Sequence, residues 1–139
     1  MSSNVFLKKI DNGSVFHINF GKTFHPELKN KHLGILFNID TCNNMVLCVP
    51  MTSPKEKHFK SLEDFKQRNY RNLKYAHLYY IKETDSIVLL EQVKSISKAR
   101  VESQYKNPNT NQKVILSKVE QEKIRKALLK IINNALKSE

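Results

Sequence analysis

The chain has 139 residues, 40% of them apolar, enough for one core and a single domain over residues 1–139. Its 24 Lys and Arg against 13 Asp and Glu give a formal net charge of +11, which suits a polyanion such as nucleic acid and also fits an acidic protein. No apolar run approaches the ~18 residues of a membrane helix, and residues 1–10 lack a signal-peptide core, so no membrane association and a cytoplasmic location are the expectations.

In chain order, Asp11-Asn12-Gly13 reads as a turn into a first strand, Ser14 to Phe20, where Val15, His17 and Asn19 alternate with Phe16, Ile18 and Phe20. Gly21 to Lys31 is polar, interrupted by Pro26, and reads as a loop. His32 to Ile39 is a second strand. Met45 to Met51 is a third, apolar enough to be buried on both faces. Pro54 ends it, because proline cannot donate to a ladder.

Ser61-Leu62-Glu63-Asp64 has the form of a helix cap, predicting a short helix through about Asn72. Tyr75 to Ile81 predicts a strand, Glu83-Thr84-Asp85 a turn, and Ile87 to Ile96 the strongest strand of the chain. Val101 to Tyr105 continues as a further strand, and Asn107-Pro108-Asn109-Thr110-Asn111 is a loop. Ser117 and Glu120 form a capping box for a C-terminal helix, whose apolar face carries Ile124, Leu128, Ile131, Ile132 and Leu136. Short strands with few helices predict a mainly β, α+β protein built as a small, bent antiparallel barrel.

Cys42 and Cys48 fit no zinc spacing and read as small apolar side chains rather than a disulfide. His17, His25 and His77 show no metal spacing, and no ligand role is assigned to them. The three glycines are too far apart for a phosphate-cradling loop. No cofactor is expected.

Three blocks resemble the PemK/MazF toxins, small RNA-cutting proteins of bacterial toxin–antitoxin systems. Gly13-Ser14-Val15, His25-Pro26-Glu27 and Lys31-His32-Leu33-Gly34-Ile35-Leu36 are similar to the family's G-D-I, G-S-E and R-P-x-L-V-I sequence. Val49-Pro50-Met51-Thr52-Ser53 is similar to V-x-P-[IL]-T-S. Ser86 to Val101 is similar to S-V-L-L-x-Q-I-R-T-I-x-K-x-R-L. The resemblance implies an SH3-like barrel with an inserted helix and a C-terminal helix, usually a homodimer. It also implies cleavage of single-stranded RNA without metal, and a cognate antitoxin, a protein first and an RNA second. The Thr-Ser-Pro-Lys-x-Lys-His stretch is also similar to the ToxN/AbiQ group, whose restraint is an RNA. A non-catalytic RNA- or protein-binding module on the same barrel is a further alternative.

By the same resemblance the family's catalytic Arg falls on His32 and its Pro on Leu33, while its catalytic Thr and loop Glu fall on Thr52 and Glu27. Metal-free cleavage to a 2′,3′-cyclic phosphate and a 5′-hydroxyl needs a base, an acid and a stabilised phosphate charge. Histidine, with an ordinary pKa of ~6.5, suits proton transfer but lacks the permanent charge and fork of arginine. Thr52 and Ser53 end a buried strand, where hydroxyls and amides meet a phosphate at the barrel rim. The candidate catalytic residues are thus His32, Thr52, Ser53 and Glu27. Candidate RNA contacts are Lys31, Lys55, Lys57, His58, Lys98 and Arg100, of which Arg100 has an alternative role in the fold or dimer. Tyr70, Tyr75, Tyr79 and Tyr80, interleaved with basic residues, suit base stacking or the core.

Overall fold

The computed structural model describes residues 10–22, 30–39, 44–55 and 78–137. Among them lie seven strands: β1 (Ser14–Asn19), β2 (Lys31–Asn38), β3 (Met45–Thr52), β4 (Leu78–Ile81), β5 (Ser86–Leu89), β6 (Lys94–Ser97) and β7 (Val101–Gln104). One helix, α1 (Lys118–Lys137), follows. The order in the sheet is β4-β5-β3-β2-β1-β7, with β6 also beside β3, and every strand pairing is antiparallel. The mainly β, α+β class with a C-terminal helix is as the sequence predicts. Among the described residues the sheet runs from β4 to β7 without those two strands pairing. The helix expected from Ser61 to Asn72 lies outside the described residues.

The sheet buries both faces, and strand alternation sorts its apolar residues accordingly. Val15, Ile35, Val49, Met51 and Val88 meet Ile124 of α1 in one cluster. Ile18, Phe20, Leu36, Val46, Cys48 and Ile96 form the other. β3 feeds both: Val46, Cys48, Val49, Pro50 and Met51 are all buried, as its continuous apolar run predicts. Gly34 stands opposite Pro50 where β2 approaches β3 closely. A Cβ there would lie 2.6 Å from Cys48 Sγ and 3.0 Å from Ile18 Cγ1.

One expected strand is two. Ile87 to Ile96 does not run straight: β5 pairs with the end of β3 at Met51↔Val88, and β6 pairs with its start at Cys48↔Lys94. A 3-10 turn at Leu90–Gln92 sits between them and shifts the register by three residues. The detour lies beside Val49 and Pro50 of β3. Pro50 has no amide to donate, and a bulge is where a strand tolerates proline. Leu90 uses the detour to reach the core, where it is 1% exposed.

At the N-terminal side of the sheet, Gly13 has φ +87° and a Cβ there would lie 2.6 Å from Gln121 Nε2. That side chain of α1 donates to Leu116 O at 2.9 Å and Asn12 O at 3.1 Å, so the first turn and the helix start are tied together. Ser117 Oγ accepts from the Glu120 amide at 3.2 Å, which is the serine half of the expected capping box, while the Glu120 carboxylate accepts from Tyr79 Oη at 2.7 Å. The predicted apolar face is only half covered. Ile124 is buried and Leu128 and Ile131 pack on the sheet, but Ile132 is 50% and Leu136 74% exposed. The helix outruns the sheet that covers its first turns.

Cys48 is a buried, free thiol. Burial pushes its pKa up from 9.0 to about 12, against the pull of nearby Lys94. The folded chain therefore keeps this proton while the unfolded chain loses it near 9, so stability present below pH 9 is lost as pH rises toward 12. Urea denaturation of the wild type and Cys48→Ala between pH 8 and 10.5 should show the wild type losing stability faster with pH. Parallel curves would mean the thiol ionises alike in both states.

Candidate active site

β2 begins, β3 ends and β5 begins at one end of the sheet, and a cavity of about 240 Å³ opens there. Lys31, His32 and Leu33 of β2 line it, with Met51, Thr52 and Ser53 from β3 and just beyond. His17 of β1 and Ser86 of β5 complete the wall. Sequence-distant segments meet here because the β2–β3 register is fixed at Gly34↔Pro50. Continuing it by two residues sets Thr52 opposite His32.

Alternation gives the cavity residues of both sheet faces. His17 pairs with Leu33, and their face is that of Val15, Ile35 and Met51, which belong to the core beneath α1. His32 pairs with Ile18 and shares the opposite face. Its ring is half-buried and backed by Phe20, with centroids 6.4 Å apart and planes tilted by 48°. Lys94 Nζ lies over the same Phe20 ring at 5.1 Å from the centroid, which brings a second cation near this end of the sheet. His17 is exposed, and its ring lies 5.9 Å from that of Tyr105 with planes tilted by 54°. Ser86 is 5% exposed and its Oγ donates to Thr84 O at 3.0 Å, so its hydroxyl is committed to the turn before β5.

Of the residues singled out in the sequence, His32, Thr52, Ser53 and Lys31 line this cavity together. Lys31 is exposed and its Nζ lies 3.5 Å from Glu102 Oε2 of β7. Lys55 is exposed just past Ser53. Arg100 sits beside the same end of β1: its Nη1 donates to Asn19 O at 3.3 Å and lies 2.9 Å from where a Cβ on Gly21 would be. Asn19 in turn is the register partner of Lys31. Lys98 is elsewhere. Its amide donates to Asn44 O at 3.1 Å, beyond the Met45 end of β3, the end away from Thr52. Glu27, Lys57 and His58 lie outside the described residues, as do Tyr70 and Tyr75. Tyr79 and Tyr80 are half-buried, and their hydroxyls donate to Glu120 and to Asp85 at 2.7 Å.

His17 is the cavity residue that motif reading passed over. It belongs to none of the metal or family patterns. The signal available was the alternation of β1, which already turned His17 away from the face of Ile18.

Fold and site together define a small antiparallel α+β protein with a polar cavity at the sheet end that carries Lys31, His17 and His32 in its lining. The chain matches the PemK-like, MazF-like toxins of type II toxin-antitoxin systems over residues 11–132, and it belongs to that family. Toxins of this family are generally endoribonucleases, and in a type II system the antitoxin is a protein. A search of curated proteins finds no match.

The Arg100 contact ties the end of β1 to the turn before β7. Arg100→Ala should cost about 0.5–1.5 kcal/mol of stability in urea denaturation, with Arg100→Lys recovering part of it. An unchanged unfolding midpoint in both variants would show that the guanidinium does not brace the fold.

Proposed function

We propose that the protein is a metal-independent endoribonuclease that cuts single-stranded RNA, leaving a 2′,3′-cyclic phosphate and a 5′-hydroxyl. The observation that supports this reading best is the meeting of His32, Thr52, Ser53 and Lys31 in one cavity of a chain of this toxin family. Each brings what the reaction needs. The His32 imidazole transfers a proton. The Thr52 and Ser53 hydroxyls and the amides at the strand end hold the phosphate. Lys31 supplies positive charge to the phosphorane-like transition state, where charge develops on the non-bridging oxygens. Glu27 joins the catalytic group on the family resemblance, and Lys55, Lys57, His58, Lys98 and Arg100 guide the strand. The active unit is a homodimer with the RNA lying along the groove between protomers. A cognate protein antitoxin blocks that groove, and the site of action is the cytoplasm.

Purified protein incubated with single-stranded RNA in EDTA should cut it, and the new 5′ ends should accept phosphate from polynucleotide kinase without prior dephosphorylation. Activity that vanishes with chelator and returns with a divalent ion would overturn the mechanism. His32→Ala should lower the cleavage rate by about 10²- to 10⁴-fold with folding intact. Thr52→Ala should also impair cleavage. In His32→Arg, retained activity with a flattened pH profile would show that the position needs charge rather than an imidazole. Full activity in both alanine variants would place the reaction elsewhere.

Lys31 shares its charge with Glu102; the Lys31 side chain is 70% exposed and that of Glu102 37%. Glu102→Gln should therefore tighten RNA binding at low salt, and Lys31→Gln should weaken it. Loss of one phosphate contact should flatten the log-log salt dependence by about 0.7. Affinity that stays constant from low to moderate salt in the wild type would remove the electrostatic basis of RNA binding.

A further inference from the structure

A single strand of RNA offers a protein two kinds of handle. Its phosphates carry charge, and its unpaired bases carry flat faces that stack on aromatic rings. In the endoribonuclease reading, His32, Thr52, Ser53 and Lys31 serve the phosphate and its protons. The bases are left to other residues.

We propose that His17 and Tyr105 form a base-stacking subsite, which holds an unpaired RNA base whose phosphate lies against Lys31. Three observations carry this, and the inference rests on the endoribonuclease reading above. First, the two rings are neighbours, with centroids 5.9 Å apart and planes tilted by 54°. Tyr105 is half-buried against the core beneath α1, and it steadies a ring that is itself exposed. Second, His17 marks the place where the cover of α1 ends. Val15, two residues earlier on the same face, is 0% exposed in the core beneath the helix. At His17 that face opens into the cavity. Third, the groups beside His17 on this face suit a nucleotide. Its register partner Leu33 is half-buried and gives the cavity an apolar wall. Lys31 lies two residues from Leu33 along β2, on the same face and on the diagonal from His17. Such diagonal neighbours stand about 7–8 Å apart, comparable with the reach from a base to its own phosphate. Lys31 Nζ already faces one anionic oxygen there, Glu102 Oε2 at 3.5 Å, where a phosphate oxygen can stand instead.

The chemistry of the ligand follows from the subsite. A base inside a duplex already has both flat faces covered, so the subsite accepts single strands. Stacking uses the flat face rather than the hydrogen-bonding edges, so it fixes the position of the strand more than its sequence. A base held on a fixed ring sets which phosphate comes to the rim where β3 ends at Thr52.

The test uses the full chain and a single strand made entirely of 2′-O-methyl ribonucleotides, which binds without being cut. Each base is removed in turn. In the wild type, one abasic position should weaken binding by about 5- to 150-fold, the range for one stacked base. His17→Ala should weaken binding of the intact strand to the same extent, and the abasic position should then cost nothing further. His17→Phe keeps a flat ring against Tyr105 and should bind like the wild type. Tyr105→Leu keeps apolar packing on the core, removes the ring, and should weaken binding at the same position. The loss in His17→Ala should be equal at low and moderate salt, whereas the loss in Lys31→Gln should shrink as salt rises. An abasic profile unchanged by His17→Ala would overturn the proposal. So would His17→Phe binding as weakly as His17→Ala, full affinity in Tyr105→Leu, or a His17→Ala loss that salt removes. In each of those cases, a wild type that still cuts unmodified RNA in EDTA leaves the endoribonuclease reading standing. A folded wild type that neither binds the strand nor cuts RNA would sink both.

Discussion

Everything in this sheet is registered on β3. It is paired along both edges, with β2 on one side and β5 and β6 in succession on the other. Its side chains also feed both cores. A one-residue slip of β3 would exchange Val49 and Met51 with Cys48 and Pro50 between the faces and would take Cys48 out of the space that Gly34 leaves for its sulphur. Fixing β3 fixes the cavity as well. Thr52 and Ser53 leave the strand where β2 brings in Lys31 to Leu33, so the core sets which polar groups meet.

Pro50 shows how one residue acts on a strand that is distant in sequence. The apolar run from Ile87 to Ile96 looks continuous because its composition is that of a buried strand. The interruption at Leu90–Gln92 is set beside β3, where a residue without an amide withdraws a ladder partner. Read alone, residues 87–96 hold no sign of the break. The same is true of α1. Amphipathic spacing identifies the face of Ile124 and Leu128, but not how far the sheet extends beneath it, so Ile132 and Leu136 look like core and are exposed. β1, β2 and β3 were legible because period-2 alternation and a fully apolar run are properties of the segments themselves. The Ser117 cap was legible because capping is local.

The site was legible by halves. His32, Thr52 and Ser53 stood out through family blocks, and Lys31 lies beside one of them. Their meeting follows from the register that Gly34 and Pro50 share. Arg100 and Lys98 are two residues apart in sequence, yet Arg100 braces the end of β1 near Lys31 while Lys98 lies past the far end of β3. A basic pair in a motif says nothing of that separation, because the turn between β6 and β7 decides it. His17 carries no motif, and only its place on an alternating strand pointed outward.

The large core side chains and the polar lining of the cavity are different residues. The large, fully buried side chains are aliphatic or methionine, while His17, Lys31 and Ser53 are exposed. An exposed ion pair such as Lys31–Glu102 contributes little to stability. Its effect falls instead on the charge at the cavity, where the Glu102 carboxylate offsets the Lys31 ammonium. The fold does not depend on that pair. A cavity whose polar groups stand at the ends of strands can thus change those groups without rebuilding the scaffold. That separation is what lets one sheet keep its register while the polar groups at its end change.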